Sequence, residues 1–177
     1  EVIVHGIPSR ERKLKEGDIV SVDAGAVYQG WYSDMARTYP VGEISPEAAR
    51  LVRVTEESFF EGLKYCVEGN YMSDVSHAIQ THLESNGFGV IRDYVGHGLG
   101  REMHEQPPVP NYGRPGRGPK LQKGMVLAIE PMVSAGSYAV NVMPDKWTAV
   151  TADGSLAAHY ENTVVITDAE PQVITLL

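Results

Sequence analysis

The sequence predicts an α+β domain organised on antiparallel sheet, and three features point there. Residues 19–39 alternate as two strand-like runs about Gln29-Gly30, where glycine can take the positive φ of a tight turn. Residues 45–87 carry two apolar stripes at helical spacing. Residues 125–132 and 156–166 are apolar strand-like runs, each with one acidic residue set among Val, Leu, Ile or Thr.

At 177 residues the chain suits one domain, or two small lobes sharing a sheet, with a real core. Its net charge of −8, with no offsetting Lys/Arg cluster, makes nucleic acid and anionic membrane poor partners. Bound cations suit it better: two divalent ions on four carboxylates would bring −8 to −4. The lone Cys66 excludes an internal disulfide and suits a reducing compartment. No apolar run approaches membrane-spanning length and no signal peptide is apparent, so a cytoplasmic location is expected.

Taken in order, residues 1–4 form a strand that runs into the turn His5-Gly6-Ile7-Pro8, and residues 9–15 are charged and exposed. In the hairpin, a two-residue loop sets Asp23 opposite Ala36 and Asp34 opposite Gly25. Period-two alternation then points both aspartates to one face, beside residues small enough to leave a hole. A loop of odd length would put them on opposite faces, and a solvated sheet face accounts for the hairpin equally well. Ser45-Pro46 opens a helix whose stripe Leu51, Thr55, Phe59, Gly62, Cys66 ends near Gly69. Ser73-Asp74 caps a second helix ending at Gly87; His77 and His82 are helix-face residues with no ligand partner at suitable spacing. His97 lies between glycines on a short strand, His104 follows seven residues later, and 106–120 is a Pro/Gly-rich surface loop. Glu130 is costly to bury in its apolar run unless paired or bound to metal. Glu161 stands on the second run, after a hairpin turn at Asp153-Gly154.

Asp23, Asp34, His97, Glu130 and Glu161 therefore form a candidate constellation of four carboxylates and one imidazole, each on or beside a strand. Such an oxygen-rich set suits a pair of Mn, Fe(II) or Co ions, with Zn or Ni possible though usually bound by more His or Cys. No phosphate loop, serine elbow or cysteine pair competes.

VHGIP, VDAGAVYQGWYSD, GHGLGREMHEQPPVPNYG, GMVLAIEPM and AHYENTVVIT resemble, in order, the motifs of the type I methionine aminopeptidases. The resemblance covers nearly the whole chain. It implies a pita-bread fold: a curved antiparallel sheet with helices on its outer face, in two pseudo-symmetric halves. It makes residues 1–177 a single catalytic peptidase domain, with the family's N-terminal block expected to be missing before Glu1. It makes Asp23, Asp34, His97, Glu130 and Glu161 the metal ligands. His5 and His104 become substrate-contacting histidines, and Tyr94, Met103 and Trp147 fall near the methionine pocket. Val4, Met103 and Asn162 depart from residues common in the family.

The implied reaction is removal of the N-terminal methionine of nascent polypeptides, near the ribosome, when the second residue is small. The enzyme is expected to be a monomer. A hydroxide bridging two cations would attack, Glu130 would relay its proton, His104 would hold the oxyanion, and His5 would contact the amide beyond. Two rivals stand beside this reading. One is the proline-specific branch of the same fold, which shares the Ser33 to Thr38 segment. The other is a metal-free peptide, ribosome or histone binder, against which all five ligands are kept.

Overall fold

The computed structural model describes residues 1–176. A short strand β1 (Val2–Ile3) precedes the long hairpin strands β2 (Ile19–Tyr28) and β3 (Trp31–Pro40). The helices α1 (Pro46–Leu63) and α2 (Met72–Ser85) follow. Then come β4 (Gly89–Val90), β5 (Gly96–Gly98), β6 (Glu105–Val109), β7 (Val126–Ile129) and β8 (Met132–Ser134). The chain continues through β9 (Val140–Val142), β10 (Ala149–Thr151), β11 (Ala157–His159), β12 (Glu161–Val165) and β13 (Gln172–Val173). No helix is long and apolar enough to cross a membrane among these residues.

One sheet runs β2-β3-β12-β7-β5-β6, with β13 also on β12; two smaller sheets run β11-β8-β4 and β1-β10-β9. Every pairing between these strands is antiparallel. The hairpin has the expected register, Asp23 against Ala36 and Gly25 against Asp34. Its turn is made by Gln29 at φ 51° and Gly30 at φ 78°, the paired positive values that match strand twist across a two-residue loop.

Helix α1 begins as predicted: the Ala48 N–H donates to Ser45 Oγ at 3.1 Å, with Pro46 as the first helical residue. It stops at Leu63 rather than near Gly69. The chain turns there through N–H donations from Tyr65 to Gly62 and from Cys66 to Leu63. Cys66 therefore lies beyond the helix, yet it is fully buried, and burial pushes its thiol up to about 12, so it is a core residue. Helix α2 starts two residues earlier than expected. Tyr71 is its N-cap, and Asp74 reaches back to accept the Tyr71 N–H at 2.8 Å.

Helix α1 packs against β11, β8 and β3 and α2 against β4, and Leu51, Phe59, Ile79 and Leu83 share one core with Leu127, Ile129 and Val164 of the main sheet. Each such side chain contributes about 1.5–3 kcal/mol on leaving water. The two C-terminal runs differ from simple strands. The first breaks at Glu130-Pro131, so that β7 lies in the main sheet and β8 in a smaller one. The second breaks at Tyr160 in the same way, between β11 and β12. The Tyr160 N–H donates to the Pro131 carbonyl at 3.2 Å, which joins the two breaks. A proline cannot extend the ladder as a donor, which accounts for the first interruption.

Candidate metal centre

The hairpin, the GHG strand and the two strand breaks converge on a cavity of about 160 Å³. Asp23, Asp34, His97, Glu130 and Glu161 all line it, and His5, Tyr94 and His104 share its wall. Asp34, Glu130 and Glu161 are only 7%, 7% and 1% exposed. The Asp34 main chain is tied to β12 by Thr163: the Asp34 N–H donates to Thr163 Oγ1 at 2.9 Å, and that hydroxyl donates to the Asp34 carbonyl at 2.8 Å. The Glu130 carbonyl accepts from Asn111 Nδ2 at 2.9 Å. Arg37 donates to the carbonyls of Ala36 and Glu161 and to Asn162 Oδ1, and its guanidinium lies over the Tyr160 ring.

His97 is oriented by its neighbours. Its flanking glycines let β5 enter between β7 and β6: a Cβ at Gly96 would stand 2.2 Å from the Ala128 carbonyl oxygen, and one at Gly98 2.3 Å from that of Gln106. Nδ1 lies 2.9 Å from the Gly98 carbonyl, which can only accept, so the proton is on Nδ1. Nε2 is left as a lone pair 3.9 Å from Asp34 Oδ2 and 3.7 Å from Glu130 Oε1.

The carboxylates are in electrostatic conflict. Removal from water, and then the carboxylates of Glu130, Asp34 and Asp23, push Glu161 well above the usual range. Asp23 retains solvent access as a residue, but desolvation of its carboxyl, followed by Asp34, pushes it up to about 6. Glu161 Oε1 is buried without a hydrogen-bond partner. Ligand atoms from Asp34, His97 and Glu161 lie within 4.8 Å of one another, as do those from Glu130, His159 and Glu161. Crowded acids, an orphaned oxygen and an imidazole lone pair fit divalent cations with oxygen-rich shells.

The other predicted residues are placed around this cluster. The His104 ring lies 4.4 Å from that of His97, tilted by 57°. His5 stacks on Trp147 at 4.5 Å, and Trp147 is largely exposed, outside the cavity lining. Met103 also lies outside that lining; its Cε fills the hole over Gly25, 2.3 Å from where a Cβ there would sit. Sequence reasoning missed His159, Asn111 and the Thr38, Thr163 and Arg37 contacts that hold the strands. His159 stands two residues before Glu161, and period-two alternation was a signal that could have found it.

Residues 1–168 match metallopeptidase family M24. The methionine aminopeptidase of Clostridium acetobutylicum is 62% identical over 176 residues, covering 99% of this chain and 70% of that protein. The chain belongs to the methionine aminopeptidases of metallopeptidase family M24. A member of this family is a metallopeptidase hydrolase acting on N-terminal methionine, and use of divalent metal follows. The crystal structure of methionine aminopeptidase from Thermotoga maritima superposes with a TM-score of 0.97 at 56% identity, over 100% of this chain and 71% of that one. A prolidase from Thermococcus sibiricus has a TM-score of 0.75 at 27% identity, over 97% and 41%. The pita-bread architecture is thus common to both branches, and sequence similarity separates them in favour of the methionine aminopeptidases.

Proposed function

We propose that Asp23, Asp34, His97, Glu130 and Glu161 hold two divalent cations, drawn from Mn, Fe(II) and Co. There the N-terminal methionine is hydrolysed from nascent polypeptides whose second residue is small. One observation carries this reading. Four carboxylates converge in one cavity, while Arg37, the cation acting on Glu161, spends its hydrogen bonds on carbonyls and Asn162. The charge needs another partner.

Bound divalent cations supply Lewis acidity that brings the pKa of water toward neutrality and so makes a nucleophile available. The Glu130 carboxylate takes the proton released by the attacking water and delivers it to the leaving amide nitrogen. His104, exposed beside His97, donates to the oxygen that becomes negative as the carbonyl is attacked. His5, held by Trp147, contacts the amide beyond the scissile bond. Burial lowers the His5 pKa, which favours a neutral ring at pH 7. The small cavity between these groups supports a preference for a short second side chain.

The test is metal content, followed by methionine release from Met-Ala-Ser compared with Met-Leu-Ser and Leu-Pro peptides. Cleavage of Met-Ala-Ser well above the other two is expected. Faster cleavage before proline would move the chain to the prolidase-like branch.

A further inference from the structure

One polar side chain inside the centre has no part in the reaction above. His159 is 2% exposed, and neither ring nitrogen has a hydrogen-bond partner of good geometry. Its backbone is fixed from the hairpin side: the His159 N–H donates to Thr38 Oγ1 at 2.8 Å, and that hydroxyl donates to the His159 carbonyl at 2.9 Å. Ser21 Oγ lies 2.8 Å from the same hydroxyl and supports it. The ring is thereby presented to Glu130, with Nε2 3.4 Å from Oε2. The other oxygen of that carboxylate, Oε1, faces His97.

The two imidazoles differ in what they can do. A metal-ligating histidine almost always donates its second ring N–H to an acceptor. His97 does so through Nδ1 to Gly98. His159 Nδ1 is buried without an acceptor, so a proton there would be a stranded donor. The favoured tautomer of His159 therefore carries its proton on Nε2, facing a carboxylate oxygen that can only accept when ionised. The separation is long for a hydrogen bond, and contacts of this kind commonly tighten once a site fills.

Resting on the metal reading above, we propose that His159 is a positioning residue: its Nε2–H donates to Glu130 Oε2 and holds Oε1 toward His97 and the cation. This gives the two oxygens of Glu130 separate tasks. It also links the hairpin to Glu130 through Ser21, Thr38 and His159.

The test is titration of the metal-free protein and its variants with Co(II), followed by calorimetry and by the visible absorption of the bound ion. His159→Gln retains an amide N–H near the position of Nε2, whereas His159→Leu fills the space without a donor. His159→Gln is expected to bind Co(II) within a few-fold of wild type, with an unchanged spectrum. His159→Leu is expected to bind about 10–100-fold more weakly, with kcat reduced and KM for Met-Ala-Ser little changed. If Leu prevents folding, His159→Asn, whose amide stops short of Glu130, is expected to show the same loss. Wild-type affinity and kcat in the Leu or Asn variant would overturn the proposal. A Gln variant as weak as Leu, with an altered spectrum, would overturn it by making His159 a ligand. Wild-type protein that fails to bind Co(II) would overturn the metal reading itself, and this inference with it.

Discussion

The two pairs of carboxylates in this cavity are built by different means. Asp23 and Asp34 stand on unbroken strands joined by a two-residue turn, so one local register brings them together. Glu130 and Glu161 stand at or beside gaps where the chain leaves one sheet for another. Their meeting depends on long-range ties: Tyr160 to Pro131, Asn111 to the Glu130 carbonyl, and Arg37 to the Glu161 carbonyl. The first pair is a product of turn chemistry, the second of tertiary packing. The first break frees Glu130 from the pleat, whereas Glu161 opens β12 in register with Ala36 of the hairpin.

Removing a carboxylate from either pair should have the largest effect and still tell the pairs apart. Asp34→Asn and Glu161→Gln keep shape while removing charge, and each is expected to reduce methionine release to background with metal bound more weakly. The metal-free proteins should diverge. Glu161→Gln relieves the most buried and most crowded carboxylate, so its metal-free form should melt higher than wild type. Asp34→Asn should raise the melting temperature less, since Asp34 is more exposed than Glu161 and Asp23 is the one carboxylate beside it on the hairpin. His77→Ala, on a helix remote from the cavity, should change neither activity nor metal. Retained turnover in Asp34→Asn would end the five-ligand reading.

That asymmetry explains how much of the site was legible in the sequence. The hairpin was readable because Gln29-Gly30 fixes the loop, and the loop fixes which face each aspartate takes. The start of α1 was readable because Ser45-Pro46 acts within four residues. The break at Tyr160 was not, because apolar composition reads the same whether a run stays in one sheet or changes sheets, and the break at Glu130 was signalled only by Pro131. Alternation could have placed His159 beside Glu161, but it could not have given its role. Its role depends on Thr38 and Glu130, which are distant in sequence, whereas the early end of α1 reflects burial of Cys66 that helical spacing mimicked.

Proton release on metal binding should be smaller in effect but should separate the pairs again. In the metal-free cluster Asp23 titrates at about 6, and Glu161 is held well above the ordinary carboxylate range. A protonated carboxyl must lose its proton to become a ligand, so lowering the pH opposes binding. Affinity for Co(II) is expected to fall about tenfold per pH unit, for each proton displaced, below the pKa concerned. Calorimetry in two buffers of different ionisation enthalpy counts the protons. Asp23→Asn should remove the component that sets in near pH 6, and Glu161→Gln the component that persists above it. Identical pH dependence in both variants would mean that the pairs titrate as one group.

The smallest expected effect tests whether the hairpin does more than carry ligands. Gly25 faces Asp34 across the hairpin, and its missing side chain leaves the hole that Met103 fills. A Cβ at Gly25 would approach Met103 Cε to 2.3 Å, while Asp34 Oδ1 would remain at an ordinary 3.7 Å. The conflict is therefore with the mobile end of a flexible thioether and not with the ligand or the backbone. Gly25→Ala should fold normally, bind metal as wild type does, and displace Met103 from its seat. If the loop bearing Met103 and His104 uses that seat to set the methionine pocket, KM for Met-Ala-Ser should rise a few-fold. A displacement near one methylene in size corresponds to roughly 1–3 kcal/mol at most in apolar discrimination. kcat should stay nearly constant, because His104 can still reach the reacting carbonyl from a relaxed loop. The double variant Gly25→Ala with Met103→Ala removes the clash and should recover much of any loss due to the clash itself. A fall in kcat with metal still bound would show instead that the seat positions His104. The hairpin would then govern the oxyanion contact as well as the two aspartates.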